Sequence, residues 1–232
     1  MKLKLAGLAG LAGLVGLVVV GLLTGCLKEP DIDVDQSEYY TTYFLFYDAG
    51  LNFTQPIVIF TGNDENGFRQ ELKGSANVTF RNTTLTFDPE LVEYRLNIDE
   101  YVPIGEFKYT GQAGTEYVNE IEQNIIGFPT NFDSVDVNSD LEFFWKGDPL
   151  EENEIITLEI SETDFQNSQK LSEDEVGSVK ILVPDIGFAG FGIGPVIFSL
   201  RREKILDVGP NPGVGGEIHN VYISSKEVIL KN

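Results

Sequence analysis

Nucleophilic or metal chemistry would have to rely on very few side chains, because the chain holds one cysteine, Cys26, and one histidine, His219. A single cysteine forms no internal disulfide, and one residue of each type cannot build a Cys/His zinc site. A Ser-His-acid triad would need His219, and the sequence has no Gly-x-Ser-x-Gly turn to hold its serine. We therefore expect no catalytic residue, no cofactor and no metal site.

Acidic side chains are the remaining candidates for chemistry, since the chain has 37 Asp and Glu residues. With so many carboxylates, a pair at glycosidase spacing is always available and indicates little. Asp31-x-Asp33-x-Asp35 and Asp136-x-Asn138-x-Asp140 alternate oxygen ligands as calcium loops do, but both lack the glycine that such a loop needs at its sixth position. The runs Glu151-Glu152 and Glu173 to Glu175 are typical of solvated loops.

The charge of the chain limits its partners. The formal net charge is −21, and removal of an N-terminal leader with Lys2 and Lys4 would make the remainder more acidic. A protein that binds phosphate groups needs a basic surface. DNA, RNA and anionic lipid headgroups are therefore not expected as the main partner.

The N-terminus carries the most specific motif. Met1 to Lys4 is basic, residues 5–23 are apolar, and Leu23-Thr24-Gly25-Cys26 follows, which resembles the lipobox of bacterial lipoproteins. The resemblance implies that 1–25 is a signal peptide, that Cys26 is lipidated, and that its acyl chains anchor the protein in a membrane. The alternative is a membrane-spanning helix, which the frequent glycines and the missing basic stop-transfer cluster disfavour.

Residues 26–37 are polar, acidic and interrupted by Pro30, and they indicate a flexible tether. Leu27 follows the cysteine where inner-membrane lipoproteins usually have Asp, so the outer membrane is favoured. Lys28-Glu29 with Asp31 resembles the export signal of Bacteroidota surface lipoproteins. The resemblance implies that the protein faces the extracellular side of the outer membrane.

The rest of the chain predicts an all-β fold. Apolar residues alternate with polar ones at period two, the spacing of strands with one buried face. The segments are Val78/Phe80, Leu85/Phe87, Tyr94/Leu96/Ile98, Phe107/Tyr109, Leu141/Phe143/Trp145, Ile156/Leu158/Ile160, Val179/Ile181/Val183 and Val196/Phe198/Leu200. Turn clusters separate them, including Gly190 to Pro195. No long amphipathic helix is expected, and Ser172 to Glu175 is interpreted as a turn.

The large number of predicted strands favours two antiparallel β-sandwiches in tandem, 38–118 and 119–232, with one large β-sandwich as the alternative. The first strand, from Tyr39 to Tyr47, carries aromatic residues on both of its faces. One interpretation is a strand that is covered on both sides. The better supported interpretation is that a β-sandwich without disulfides needs large side chains to fill the space between its sheets.

A family resemblance supports this architecture. The segment Leu141 to Leu150 with Trp145, the strand Ile155 to Ile160 and the ending Gly215 to Ile229 resemble uncharacterised Bacteroidota lipoproteins. That resemblance implies immunoglobulin-like β-sandwich domains, and no catalytic residues come with it. Trp145 alternates with Leu141 and Phe143, so we expect it inside the fold rather than stacked on a sugar ring.

These observations lead to a functional hypothesis. We expect a non-enzymatic binding or structural module, with a glycan or a protein as its ligand. The alternative is an envelope-bound hydrolase that acts on glycans through carboxylates or calcium.

Overall fold

A computed structural model describes residues 38–162, 168–174, 178, 180–188 and 190–232. These residues form one compact unit. The lipobox residues Leu23, Thr24, Gly25 and Cys26 and the tether 26–37 lie outside the described residues, so the predictions made for them stay predictions. Within the described ranges, no helix is long and apolar enough to cross a membrane.

The all-β prediction is confirmed, since the regular structure of the described residues consists of strands and short 3-10 segments such as Asp185–Phe188. The strands are β1 (Tyr39–Asp48), β2 (Phe53–Gly62), β3 (Asn77–Phe80), β4 (Thr83–Thr84), β5 (Thr86–Asp88), β6 (Glu93–Arg95), β7 (Ile104–Thr110), β8 (Glu116–Glu122), β9 (Ser134–Asp136), β10 (Leu141–Phe143), β11 (Glu154–Glu162), β12 (Ser168–Asp174), β13 (Ile181–Val183), β14 (Gly194–Asp207) and β15 (Gly216–Lys231).

Three sheets contain these strands. A nine-stranded sheet has the order β12-β11-β14-β15-β1-β2-β6-β5, and β9 also pairs with β15. A four-stranded sheet has the order β4-β3-β7-β8, and β10 pairs with β13. The described pairings are antiparallel except that β1 and β9 both run parallel to β15. The first strand of the fold is thus hydrogen-bonded to the last one.

Two hydrophobic cores lie on one side of the nine-stranded sheet. The first joins β1 and β2 to the four-stranded sheet through residues such as Tyr43, Phe60, Phe80 and Phe107. The second joins β11, β14 and β15 to β10 and β13, and its members include Trp145. Strand β15 serves both cores, since Ile218 belongs to the first and Val228 and Leu230 to the second. The division at residue 119 stays a prediction, and two domains divided there share one sheet.

The predicted alternation of buried and exposed residues is confirmed in the strands of the second core. Ile156, Leu158 and Ile160 of β11 are fully buried, as are Phe198 and Leu200 of β14. Each of these side chains points to the same face because successive strand residues alternate between the two faces of a sheet.

The interpretation of Ser172 to Glu175 as a turn is wrong for its described residues. Ser172 pairs with Leu158 and Asp174 with Ile156, so both lie in β12. Backbone hydrogen bonds to the buried strand β11 hold this polar segment extended, although it has no apolar periodicity of its own. Lys170 and Glu173 form an ion pair at 3.0 Å on the same strand.

A buried ion pair lies at the second core. The Arg202 guanidinium donates to the Glu154 carboxylate over 2.6 Å, and their side chains are 2% and 0% exposed. Arg202 also donates to the carbonyl oxygens of Asp148 and Pro149, and the amide of Glu151 donates to Glu154. Burial opposes the charge on Glu154, but these hydrogen bonds outweigh it and lower the pKa of that carboxyl. The pair therefore fixes the loop that follows Trp145.

Candidate binding surface

The second face of the nine-stranded sheet carries apolar side chains that belong to neither core. In β1, Tyr39, Tyr43 and Tyr47 are buried on the core face, so Phe44 and Phe46 point to the opposite face, where they are partly exposed. The strand register places neighbours beside them: Ile57 pairs with Phe44, and Val221 pairs with Phe46. We call the following set the outer patch: the partly exposed residues Phe44, Phe46, Phe53, Ile57, Ile59, Ile205 and Ile223, together with Val221, which is buried among them.

The outer patch is continuous across four neighbouring strands, β2, β1, β15 and β14. None of its members is part of the two cores or packs against them. On this face of β1 the side chains are partly buried, and Val221 beside Phe46 is 2% exposed, so the interpretation that the first strand is covered on both sides stays a prediction. Aromatic residues fill both faces because one face builds a core and the other forms an apolar surface.

A cluster of charged side chains lies within the outer patch around His219. The imidazole Nδ1 is 3.1 Å from Glu203 Oε1, and Nε2 is 2.9 Å from Glu217 Oε2. The ring also stacks on Phe44, with centroids 4.6 Å apart. Arg201 completes the cluster by donating to Glu203 over 2.9 Å.

The geometry favours a protonated imidazole, because both ring nitrogens face carboxylate oxygens. Burial works against the charge, but the hydrogen bonds and charges of Glu203 and Glu217 outweigh it and raise the pKa of His219. The hydrogen bond from His219 in turn lowers the pKa of Glu203. Such an arrangement orders the side chains, and the two carboxylates lie on opposite sides of the ring, so they do not converge on a metal ion.

A second charged cluster borders the outer patch at β6. Arg95 is paired with Ile57 across the strands, and its guanidinium lies 2.7 Å from Glu93 and 3.3 Å from Asp88. Arg69 approaches Glu93 at 3.5 Å. Beside this cluster is an open groove of about 500 Å³, which is lined by Phe87, Asp88, Pro89, Glu90, Arg95 and Leu96 among others. One charged cluster therefore borders the outer patch at β6, and the other lies within it around His219.

The segment Asp136 to Asp140, for which we expect no calcium site, has a structural use. The Asp136 carboxylate accepts the amide of Asn138, and the Asp140 carboxylate accepts the amide of Asp185. The first hydrogen bond stabilises a turn, and the second joins this segment to the start of the 3-10 helix. Across the described part of the chain, no group of three or more His, Cys, Asp or Glu side chains is arranged to hold a metal ion.

The prediction that Trp145 is buried is confirmed, since the residue is 8% exposed and lies in the second core. Its indole Nε1 donates to the Asp148 carbonyl over 3.4 Å. The neighbouring Phe144 points the other way and is 62% exposed. Trp145 is therefore not available to stack on a sugar ring.

Sequence reasoning found the aromatic residues of β1 but not the outer patch. The signal was present in β2, where Ile57 and Ile59 alternate with Val58 and Phe60, so that both faces are apolar. A strand apolar on both faces can be enclosed or can lie at an interaction surface. The sequence does not distinguish these two cases, because the distinction depends on which elements pack on the second face.

Comparison with known proteins gives no family. The sequence matches no protein-family model and no curated protein. Among solved structures, it is similar to the FN1–FN3 domains of chicken CNTN1, with a TM-score of 0.22 and 11% identity over 78% of this chain. The match spans 64% of that structure's length. The resemblance to Bacteroidota lipoproteins stays a prediction.

Proposed function

We propose that the chain is an outer-membrane lipoprotein, anchored through Cys26 and facing the extracellular side, which acts as a non-enzymatic binding module through its outer patch. The lipobox resemblance of Leu23 to Cys26 supports the anchor. The residues Lys28, Glu29 and Asp31 support the extracellular side.

The observation that carries the binding role is the outer patch itself. The largest apolar patch on a monomeric protein, typically about 300–600 Å², is often an interaction site. The patch lies on paired strands, so its side chains are held in fixed positions before a partner arrives. Preorganised side chains reduce the entropy that is lost on binding. No observation on the described residues favours the hydrolase alternative.

Photo-crosslinking in intact cells tests the binding role. A benzoylphenylalanine in place of Phe46 is expected to form a discrete, reproducible adduct on irradiation. The same substitution at Phe144, which is exposed but outside the outer patch, serves as the matched control. Adducts from neither position, or equal adducts from both, would contradict a recognition surface at the outer patch.

The anchor is tested by Cys26→Ser. We expect an uncleaved precursor without acyl mass, and loss of the protein from the detergent phase. The extracellular side is tested separately by replacing Lys28, Glu29 and Asp31 with Ala. Protease accessibility on intact cells should fall while the amount of membrane-bound protein stays the same. A mature, detergent-partitioning Cys26→Ser variant would exclude the lipid anchor.

A further inference from the structure

We propose that the occupant of the outer patch is a protein surface with an apolar centre and a lysine- or arginine-rich margin; this inference rests on the proposed function. The shape of the patch indicates a macromolecule. The patch is a sheet face about 20 Å long and about 19 Å wide, given about 3.3 Å per residue and about 4.8 Å between strands. A helix or a second sheet packs on such a face with its own apolar side chains.

Charge indicates the sign of the partner's margin. The acidic side chains around the outer patch include Asp48, Asp88, Glu93, Glu203, Asp207 and Glu217. Opposite charge there comes from Arg69, Arg95, Arg201 and His219, which are engaged in ion pairs with acids of this set. The acids remain in excess, and the whole chain carries −21. A basic margin on the partner complements this field and speeds its approach.

A second copy of the chain is the less suitable occupant for two reasons. Two copies placed face to face would bring like-charged margins together, and this juxtaposition is unfavourable. The area is also small. The patch projects on the order of 400 Å², whereas permanent homodimers bury roughly 1,000 Å² or more per subunit. The size suits a transient complex with a different protein.

Defined peptides test the chemistry directly. The probe is a short synthetic peptide in which leucine and lysine are patterned as an amphipathic helix. Two matched peptides replace either its lysines with glutamate or its leucines with serine. Titration calorimetry on the purified folded chain is expected to show saturable binding of the leucine–lysine peptide only, weakened by added sodium chloride.

Variants locate the peptide. Phe46→Thr and Ile57→Thr remove apolar surface from the outer patch and keep residues suited to strands. Each is expected to weaken binding about tenfold or more, since a few central apolar residues dominate such interfaces. Phe144→Thr is the control and should leave binding unchanged. Circular dichroism and melting temperature confirm that all variants are folded, and hydrogen exchange should show protection on β1 and β2.

Four results would overturn the inference. Equal binding of the lysine–serine peptide would mean that charge alone attracts the probe, and equal binding of the leucine–glutamate peptide would refute the basic margin. Self-association that Phe46→Thr abolishes would identify a second copy as the occupant. If Phe46 forms an adduct in cells but the leucine–lysine peptide does not bind, only this inference is refuted. Absence of the Phe46 adduct refutes the proposed function.

Discussion

Two neighbouring residues of β14 show how differently the two faces of the large sheet are built. Arg202 points to the core face, where it and Glu154 are sealed from solvent and bound by several backbone groups. Glu203 points to the outer face, where it binds His219 beside the partly exposed outer patch. Ionic groups on the core face fix a loop. The ionic groups on the outer face lie at a surface that is partly exposed in the described part of the chain.

Burial, rather than charge, decides the roles of the Arg202–Glu154 pair and of the cluster around His219. A buried pair gains little net stability by forming, but it is costly to break, because one partner is left uncompensated. A partly exposed cluster is screened by water and can change its partners at low cost. Substitutions at adjacent residues can therefore show how differently the two faces contribute to the free energy of unfolding.

The largest effect is expected for Arg202→Met. This change leaves the Glu154 carboxylate, which is 0% exposed, without its cation, and should lower the free energy of unfolding by about 3–5 kcal/mol. The neighbouring Arg201→Met should cost less than about 1 kcal/mol, since the Arg201 side chain is 41% exposed. Urea denaturation measures both. Similar losses in the two variants would show that the faces do not differ as described.

A second neighbouring pair is Trp145 and Phe144. Trp145→Ala opens a cavity in the second core and should destabilise the fold by about 3 kcal/mol. Phe144→Ala removes a side chain that is 62% exposed and should change stability by less than about 0.5 kcal/mol. Thermal denaturation with both variants checks the difference. A mild Trp145→Ala effect would place the indole nearer to the surface than the structure does.

His219→Gln should have a smaller, pH-dependent effect. The raised pKa of His219 means that its contribution is full below its ordinary value near 6.5 and is lost as pH rises through the folded value. The lowered pKa of Glu203 means that its contribution is full above about 4.5 and is lost at lower pH. Between these limits the variant should lose about 1 kcal/mol or less.

Denaturation curves at pH 6 and pH 9 provide the measurement. The difference between the wild-type chain and His219→Gln should shrink at the higher pH. A difference that stays constant or grows with pH would show that the imidazole is not held charged between the two carboxylates.

A small effect on stability, similar in size to that of His219→Gln, is expected at the outer patch. Phe46→Thr and Ile57→Thr remove apolar surface that is already partly exposed, so each should cost less than about 1 kcal/mol. Both should reduce the fluorescence of an apolar dye such as ANS in the presence of the folded chain. Strong destabilisation with unchanged dye fluorescence would indicate that these side chains serve a core instead.

Much of the fold followed from the sequence, because period-two alternation specifies strands wherever one face is buried, as in Ile156 to Ile160. The polar strand β12 did not follow, since its conformation depends on pairing with β11. The parallel pairing of β1 with β15 also lay beyond sequence reasoning, because it joins residues far apart in the chain.

The candidate site was only half predictable. His219 lies on β15, and its two carboxylate partners depend on different relations. Glu217 is two residues away on the same strand, whereas Glu203 comes from β14 through the strand register. The outer patch likewise combines residues from four strands. Single-strand patterns reveal that both faces are apolar, but they do not reveal which face remains open.

Hydroxyl-radical footprinting measures directly whether a partner covers the outer patch. Modification of Phe46 and Phe144 would be compared between the purified chain and intact cells. We predict that Phe46 becomes several-fold less reactive in cells while Phe144 keeps its reactivity, because a partner covers the outer patch alone. Equal reactivity of Phe46 in both preparations would contradict a recognition surface at the outer patch.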